Sequence, residues 1–209
     1  GPETYTSQGL EPDAIEAMDR PAAPASTTGL KAVAIVGEVG ELTGNFINDM
    51  NNAVNALENY GASVDTFYYG QGTFSWDDIV TAATGAHFLL YMGHGVYYGG
   101  ECANPTEVGG FALGYGPIVT PDDIRNDLAG RMASHAVVIL SHACFSAGNT
   151  ACDPSGWPNE AEAERRVRMY AAPFVDIGLQ AYYANNYYNS TTYYIYELLA
   201  PMDARASVG

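Results

Sequence analysis

The chain has 209 residues, 47% of them hydrophobic, which suits one sizeable core and excludes a disordered or low-complexity protein. Its formal net charge is −16, with 24 acidic residues against 8 basic ones and a single lysine, Lys31. Such a surface repels nucleic acid and anionic membranes, and no apolar run approaches the roughly 20 residues that span a bilayer. The acidity favours a cationic substrate or bound divalent cations, although its simplest role is to keep the protein soluble.

Residues 1–29 are rich in Pro, Ala, Ser and Thr and read as a flexible N-terminal arm or linker. Gly1-Pro2 resembles the remnant of a cleaved tag, so a native leader stays open. The folded domain is expected over 30–209, with the C-terminus a candidate truncation point.

Lys31–Val36 (KAVAIV) reads as a buried first strand. The loop GEVGELTG follows, with Glu38 and Glu41. It lacks the spacing and the lysine of a phosphate loop, and its carboxylates repel phosphate. Asn45–Tyr60 has helical periodicity (Phe46, Ile47, Met50, Val54, Leu57), and Gly61 is a natural stop. Ser63–Tyr68 is a second strand. Ser75 with Asp78 forms a capping box ahead of a short helix. Ala86–Met92 is a third apolar strand, and it ends in Gly93-His94-Gly95.

Phe111–Leu113 and Ile118–Val119 are expected to form a hairpin around Gly114 and Gly116. Thr120-Pro121-Asp122-Asp123 opens a helix that runs to about Leu128. Ala136–Gly148 (AVVILSHACFSAG) is a fourth, buried strand that breaks into a small-residue loop at Cys144. Asn159 caps a helix to Ile177, with Glu162/Arg166 and Glu164/Arg168 as i, i+4 pairs and Pro173 as a kink or restart point. Gln180–Ala184 is the fifth strand, and Ser190 opens the last helix. Strands alternating with helices predict an α/β fold: a mostly parallel sheet with helices on both faces, in three layers.

Three cysteines are an odd set. Cys102 lies eight residues after His94, and Cys152 lies eight after Cys144, so both fall in loops above one sheet edge. Cys102 and Cys152 are therefore a candidate disulfide that leaves Cys144 free; the alternative is that all three are reduced. The odd count and the scarcity of lysine are the sequence's own pointers to a secreted or cell-surface protein.

The chemistry gathers at two strand ends. A cysteine nucleophile needs a base or an electropositive setting to reach the thiolate, and a histidine on the neighbouring strand end supplies one. Gly95 admits close backbone approach, and its N–H with that of Cys144 makes a candidate oxyanion hole. FLLYMGHG and VVILSHACFSAG, in this order and spacing, resemble the caspase-like superfamily of cysteine peptidases, which includes caspases, metacaspases, legumain, gingipain and clostripain.

The resemblance implies a caspase-like α/β sandwich, secreted bacterial relatives, His94 as general acid/base and Cys144 as nucleophile. It also implies a pocket for the residue before the scissile bond, built by the loop after the first strand and the segments flanking the cysteine. Glu38, Glu41 and Asp153 fall there and favour Arg or Lys; the same acids are candidate calcium ligands, on which some relatives depend. Several relatives that accept basic residues carry an acid where this chain has His142. If the strand persists to the cysteine, His142 and Cys144 point the same way, and His142 lines the pocket. His87 and His135, at strand starts, read as structural.

The expected function is thus a cysteine endopeptidase acting on a peptide or protein substrate, with no cofactor required for its chemistry. The alternative is a non-catalytic caspase-like binding or scaffolding module, for which the tyrosines around the cleft would form an interface. A metal-dependent hydrolase is weaker, because no close ligand pair such as H-E-x-x-H or C-x-x-C occurs, and no metal ligand is assigned. The sequence assigns no oligomeric state.

Overall fold

The structure, a computed structural model, describes residues 3–5, 29–154 and 157–206. Most of the arm expected over residues 1–29 lies outside them. Five strands form a parallel sheet: β2 (Lys31–Val36), β3 (Ser63–Tyr68), β4 (Phe88–Met92), β7 (Val137–Ser141) and β8 (Ala181–Asn185). Their spatial order is β3-β2-β4-β7-β8, so the winding direction reverses between β2 and β4. A second sheet places β5 (Gly95–Glu101) between β1 (Glu3–Tyr5) and β6 (Asn104–Val108), all antiparallel.

The central strands are apolar at nearly every position, Lys31 and Ser141 at strand ends excepted, because both of their faces are covered. Val33, Ile35, Leu89, Tyr91, Val138 and Leu140 face one layer. That layer is α2 (Trp76–Ala83), α3 (Pro121–Leu128) and α4 (Glu160–Asp176). Ala34, Val36, Leu90, Met92, Val137 and Ile139 face the other, α1 (Thr43–Asn59) and α5 (Ser190–Ala206). The two sets alternate strictly along each strand, which is the period of two that a pleated sheet imposes. The result is a three-layer α/β sandwich.

The helix starts follow the sequence chemistry. Ser75/Asp78 and Thr120/Asp123 are both reciprocal capping boxes, and the Asn159 side chain accepts from Glu162 N–H. Two expectations are corrected. The main hairpin after His94 is β5–β6, turning at Cys102-Ala103; of the hairpin expected around Gly114 and Gly116, the single bridge Phe111↔Val119 forms. Gly99 and Gly100 hide this strand from a propensity reading. They carry β5 through positive φ where a Cβ at Gly100 would sit 2.5 Å from the Asn104 carbonyl. The second correction is that α4 runs unbroken through Pro173, which is buried.

His87 and His135 sit just before β4 and β7, at the sheet edge opposite His94 and Cys144. His87 Nδ1 accepts from Lys31 N–H, and His135 Nδ1 pairs with Gln180 Oε1 at 2.8 Å. Among the described residues, no helix is long and apolar enough to cross a membrane.

Candidate active site

Strands β4 and β7 are hydrogen-bonded neighbours, with Met92 opposite Ser141, so the chain leaves both at the same carboxyl edge of the sheet. Ligands of open α/β sheets bind beyond this edge, beside the reversal in strand order. After Met92 the chain turns through Gly93 and His94 into β5. The turn is fixed from beneath: the Tyr91 hydroxyl donates to the His94 carbonyl (2.8 Å) and accepts from Ala112 N–H (3.1 Å). Gly93 is required here, because a Cβ would fall 2.4 Å from the Tyr91 oxygen. Gly95 is required more strictly: a Cβ would meet the Cys144 carbonyl oxygen at 1.9 Å and the Cys144 nitrogen at 2.6 Å. The His94-Gly95 turn and the Cys144 peptide are therefore in direct backbone contact. His94 itself is half-exposed, and its buried Nδ1 has no hydrogen-bond partner among the described residues.

Cys144 is the one free cysteine and is fully buried. Burial pushes its thiol pKa up; the Ala151 N–H, the Thr150 hydroxyl and Arg166 pull it partly back, against Asp153. The loop that follows folds over the sulfur. Phe145 N–H donates to Asn149 O (2.7 Å), Ser146 Oγ to Ala143 O (2.6 Å), and Tyr182 OH to Ser146 O (2.8 Å). The expected disulfide is formed: Cys102, in the β5–β6 turn, is joined to Cys152.

Asp153 does not offer its carboxylate to a substrate in this structure. Both oxygens are bonded to the fully buried Arg166 at 2.9 Å, and Oδ2 also accepts from Thr150 N–H. Arg166 further donates to Glu162, Gly148 O and Ala103 O. It thus ties α4 to the cysteine loop and to the β5–β6 turn. Arg165 donates to Glu162, Pro105 O and Thr106 O, adding a second fastening.

His142 departs furthest from its expected position. Strand β7 ends at Ser141, and His142 takes a left-handed φ of 59°. The alternation is broken there, so His142 and Cys144 do not point the same way. The imidazole leaves through the α1/α5 face, stacked between Phe46 and Tyr188 at centroid distances of 4.9 and 4.4 Å. Its Nε2 is 4.0 Å from Asp49 Oδ2.

Asp49 is the residue that the sequence reading missed. It is 4% exposed, with Oδ1 accepting from Asn189 N–H and Oδ2 without a hydrogen-bond partner among the described residues. It lines a cleft of about 340 Å³ with Asn45, Asn48, Asn52, Tyr188 and Asn189. The signal was present in α1: Asn45, Asn48, Asp49 and Asn52 recur at i, i+3, i+4 and i+7, a polar stripe beside the apolar one. Glu38 and Glu41 lie in the loop leading to this helix. Glu38 Oε1 is engaged by Gly40 N–H, and Glu41 is exposed.

The class that fold and site define is a three-layer α/β protein with histidine and cysteine on adjacent strand ends. No family model matches the sequence, and no curated protein matches it either.

Proposed function

We propose that the protein is a caspase-like cysteine endopeptidase that cleaves after Arg or Lys. The observation that carries this reading is the contact between Gly95 and the Cys144 peptide, which sets the turn that carries His94 against the cysteine backbone at one sheet edge. In the reaction, His94 takes the thiol proton and Cys144 Sγ bonds to the scissile carbonyl carbon as the C=O π pair moves to oxygen. The N–H groups of Gly95 and Cys144 receive that oxyanion. His94 then protonates the leaving amine as the C–N bond breaks. A water molecule, deprotonated by His94, hydrolyses the thioester and restores the thiol.

The basic preference rests on Asp49. The Asp49 residue lines a cleft bounded by asparagine side chains, where a guanidinium or ammonium group would gain a charge-assisted hydrogen bond. Glu38 and Glu41 add negative charge on the approach to α1. The disulfide supports an oxidising, secreted or cell-surface setting. A non-catalytic binding module is the second reading, and it is favoured by one observation: the Cys144 thiol is fully covered.

The test uses peptides that differ only at the residue before the cleaved bond (Arg, Lys, Asp, Asn), with dithiothreitol present, in calcium or in chelator. Arg and Lys peptides are expected to be cleaved. Cys144→Ala is expected to fall to background and His94→Ala to lose roughly 10²–10⁴-fold in kcat/KM. Turnover surviving Cys144→Ala would refute the thiol mechanism. No turnover of any peptide, with Cys144 inert to iodoacetamide under reduction, would favour the binding module.

A further inference from the structure

The thiol and the disulfide next to it differ sharply in accessibility. Cys144 is fully buried, whereas Cys102 and Cys152 are both partly exposed and are flanked by exposed Glu101 and Ala151. The groups that lie on the Cys144 sulfur are the Thr150 hydroxyl and the Ala151 N–H, and the next residue in the chain is Cys152. Thr150 touches both sulfur centres, since its Oγ1 is also 3.8 Å from Cys102 Sγ. Both groups belong to a short segment whose end is covalently pinned to the β5–β6 turn. Two non-covalent ties hold the same segment, Thr150 N–H to Asp153 and Asp153 to Arg166.

We propose that the Cys102–Cys152 disulfide is a redox latch on Cys144: intact, it holds residues 149–153 over the thiol, and its reduction releases them. The latch names a regulation of the peptidase site and rests on that reading only for its consequence, not for its mechanics. The chemistry is a thiol–disulfide exchange with a dithiol reductant. One reductant sulfur attacks a disulfide sulfur and displaces the other cysteine as its thiol. The second reductant sulfur then resolves the mixed disulfide. Two electrons and two protons pass to Cys102 and Cys152, and the reductant leaves as its own disulfide. Cys144 takes no part in the exchange. It gains access because a segment freed of its covalent anchor opens at lower local cost.

The experiment measures the iodoacetamide modification rate of Cys144 in the full chain, with peptide mapping to separate it from the other two cysteines. Wild type is compared without reductant, after dithiothreitol, and after reoxidation, beside Cys102→Ser/Cys152→Ser. The expected result is a rate at least about tenfold higher on reduction and in the double variant, returning to the slow value on reoxidation. Near-UV circular dichroism is followed in parallel. An unchanged rate on reduction and in the double variant overturns the latch, and so does a rise that coincides with loss of the near-UV signal. If the double variant does not fold, the reduce-and-reoxidise cycle of the wild type decides alone. A Cys144 that is released by reduction in a protein that cleaves no peptide would support the latch and remove the peptidase.

Discussion

Replacing Arg166 with alanine is expected to lower the unfolding free energy by about 3–5 kcal/mol, the range for removing one partner of a buried ion pair. The side chain is fully buried, and its donors reach Asp153, Glu162, Gly148 O and Ala103 O, with Phe145 5.5 Å beneath the guanidinium. Alanine leaves the Asp153 carboxylate buried without its cation and two carbonyls without donors, and it opens a cavity between α4 and the cysteine loop. Arg168→Ala, only two residues away in sequence, is expected to change stability by less than about 0.5 kcal/mol, because its pairing with Glu164 is exposed. Urea unfolding of the two variants checks both values. A loss at Arg166 no larger than that at Arg168 would show that the network contributes nothing net.

Asp49→Asn is expected to create a pH dependence of stability that the wild-type pair conceals. Burial raises the Asp49 pKa from 3.8 to about 6 and lowers that of His142 from 6.5 to about 4. A raised acid favours folding at low pH and loses that advantage as pH climbs through 6. A lowered histidine does the opposite, because the unfolded chain takes up the proton first as pH falls below 6.5. Between about pH 4 and 6 the folded pair holds one proton, on Asp49, and the unfolded pair also holds one, on His142. Proton numbers match, so the pair contributes almost no slope. In Asp49→Asn the histidine leg stands alone, and stability should rise by about 3 kcal/mol from pH 4 to 6.5. Denaturant unfolding at a series of pH values reads this directly as a difference in slope between variant and wild type. Equal slopes would overturn the account of the buried pair. In the peptidase assay the same variant should discriminate less between Arg and Asn peptides, through KM more than through kcat.

Much of the sandwich was legible because burial on both faces leaves a plain mark: short runs such as KAVAIV and AVVIL, bounded by glycines and helix caps. The strand-end motifs were legible for the same reason, since a strand that stops at His94-Gly95 or shortly before Cys144 places them at one edge whatever the detail of the loops. What could not be read were features set by single torsions or by contacts distant in the chain. His142 looked like a continuation of β7, and one positive φ sent its ring to the opposite face. Asp153 looked like a loop carboxylate, and the buried guanidinium that takes both of its oxygens comes from α4. Asp49 was hidden because a polar stripe on an amphipathic helix reads as solvent-facing until α5 and the turn before it close over part of it. The β5–β6 hairpin was hidden by its own glycines, whose close approaches replace the alternating side chains that usually announce a strand.

The small antiparallel sheet bears on the order in which the molecule assembles. Strands β5 and β6 are joined by a two-residue turn, whereas β1 pairs Glu3 with Tyr97 and Tyr5 with Gly95, across almost half of the chain. Loop closure over that span costs more entropy than closing the hairpin. On this comparison, the edge of β5 that starts at Gly95 is expected to be covered after the edge that pairs with β6. For that interval its backbone groups stand open to any extended chain nearby, immediately beside the two residues on which the proposed chemistry depends.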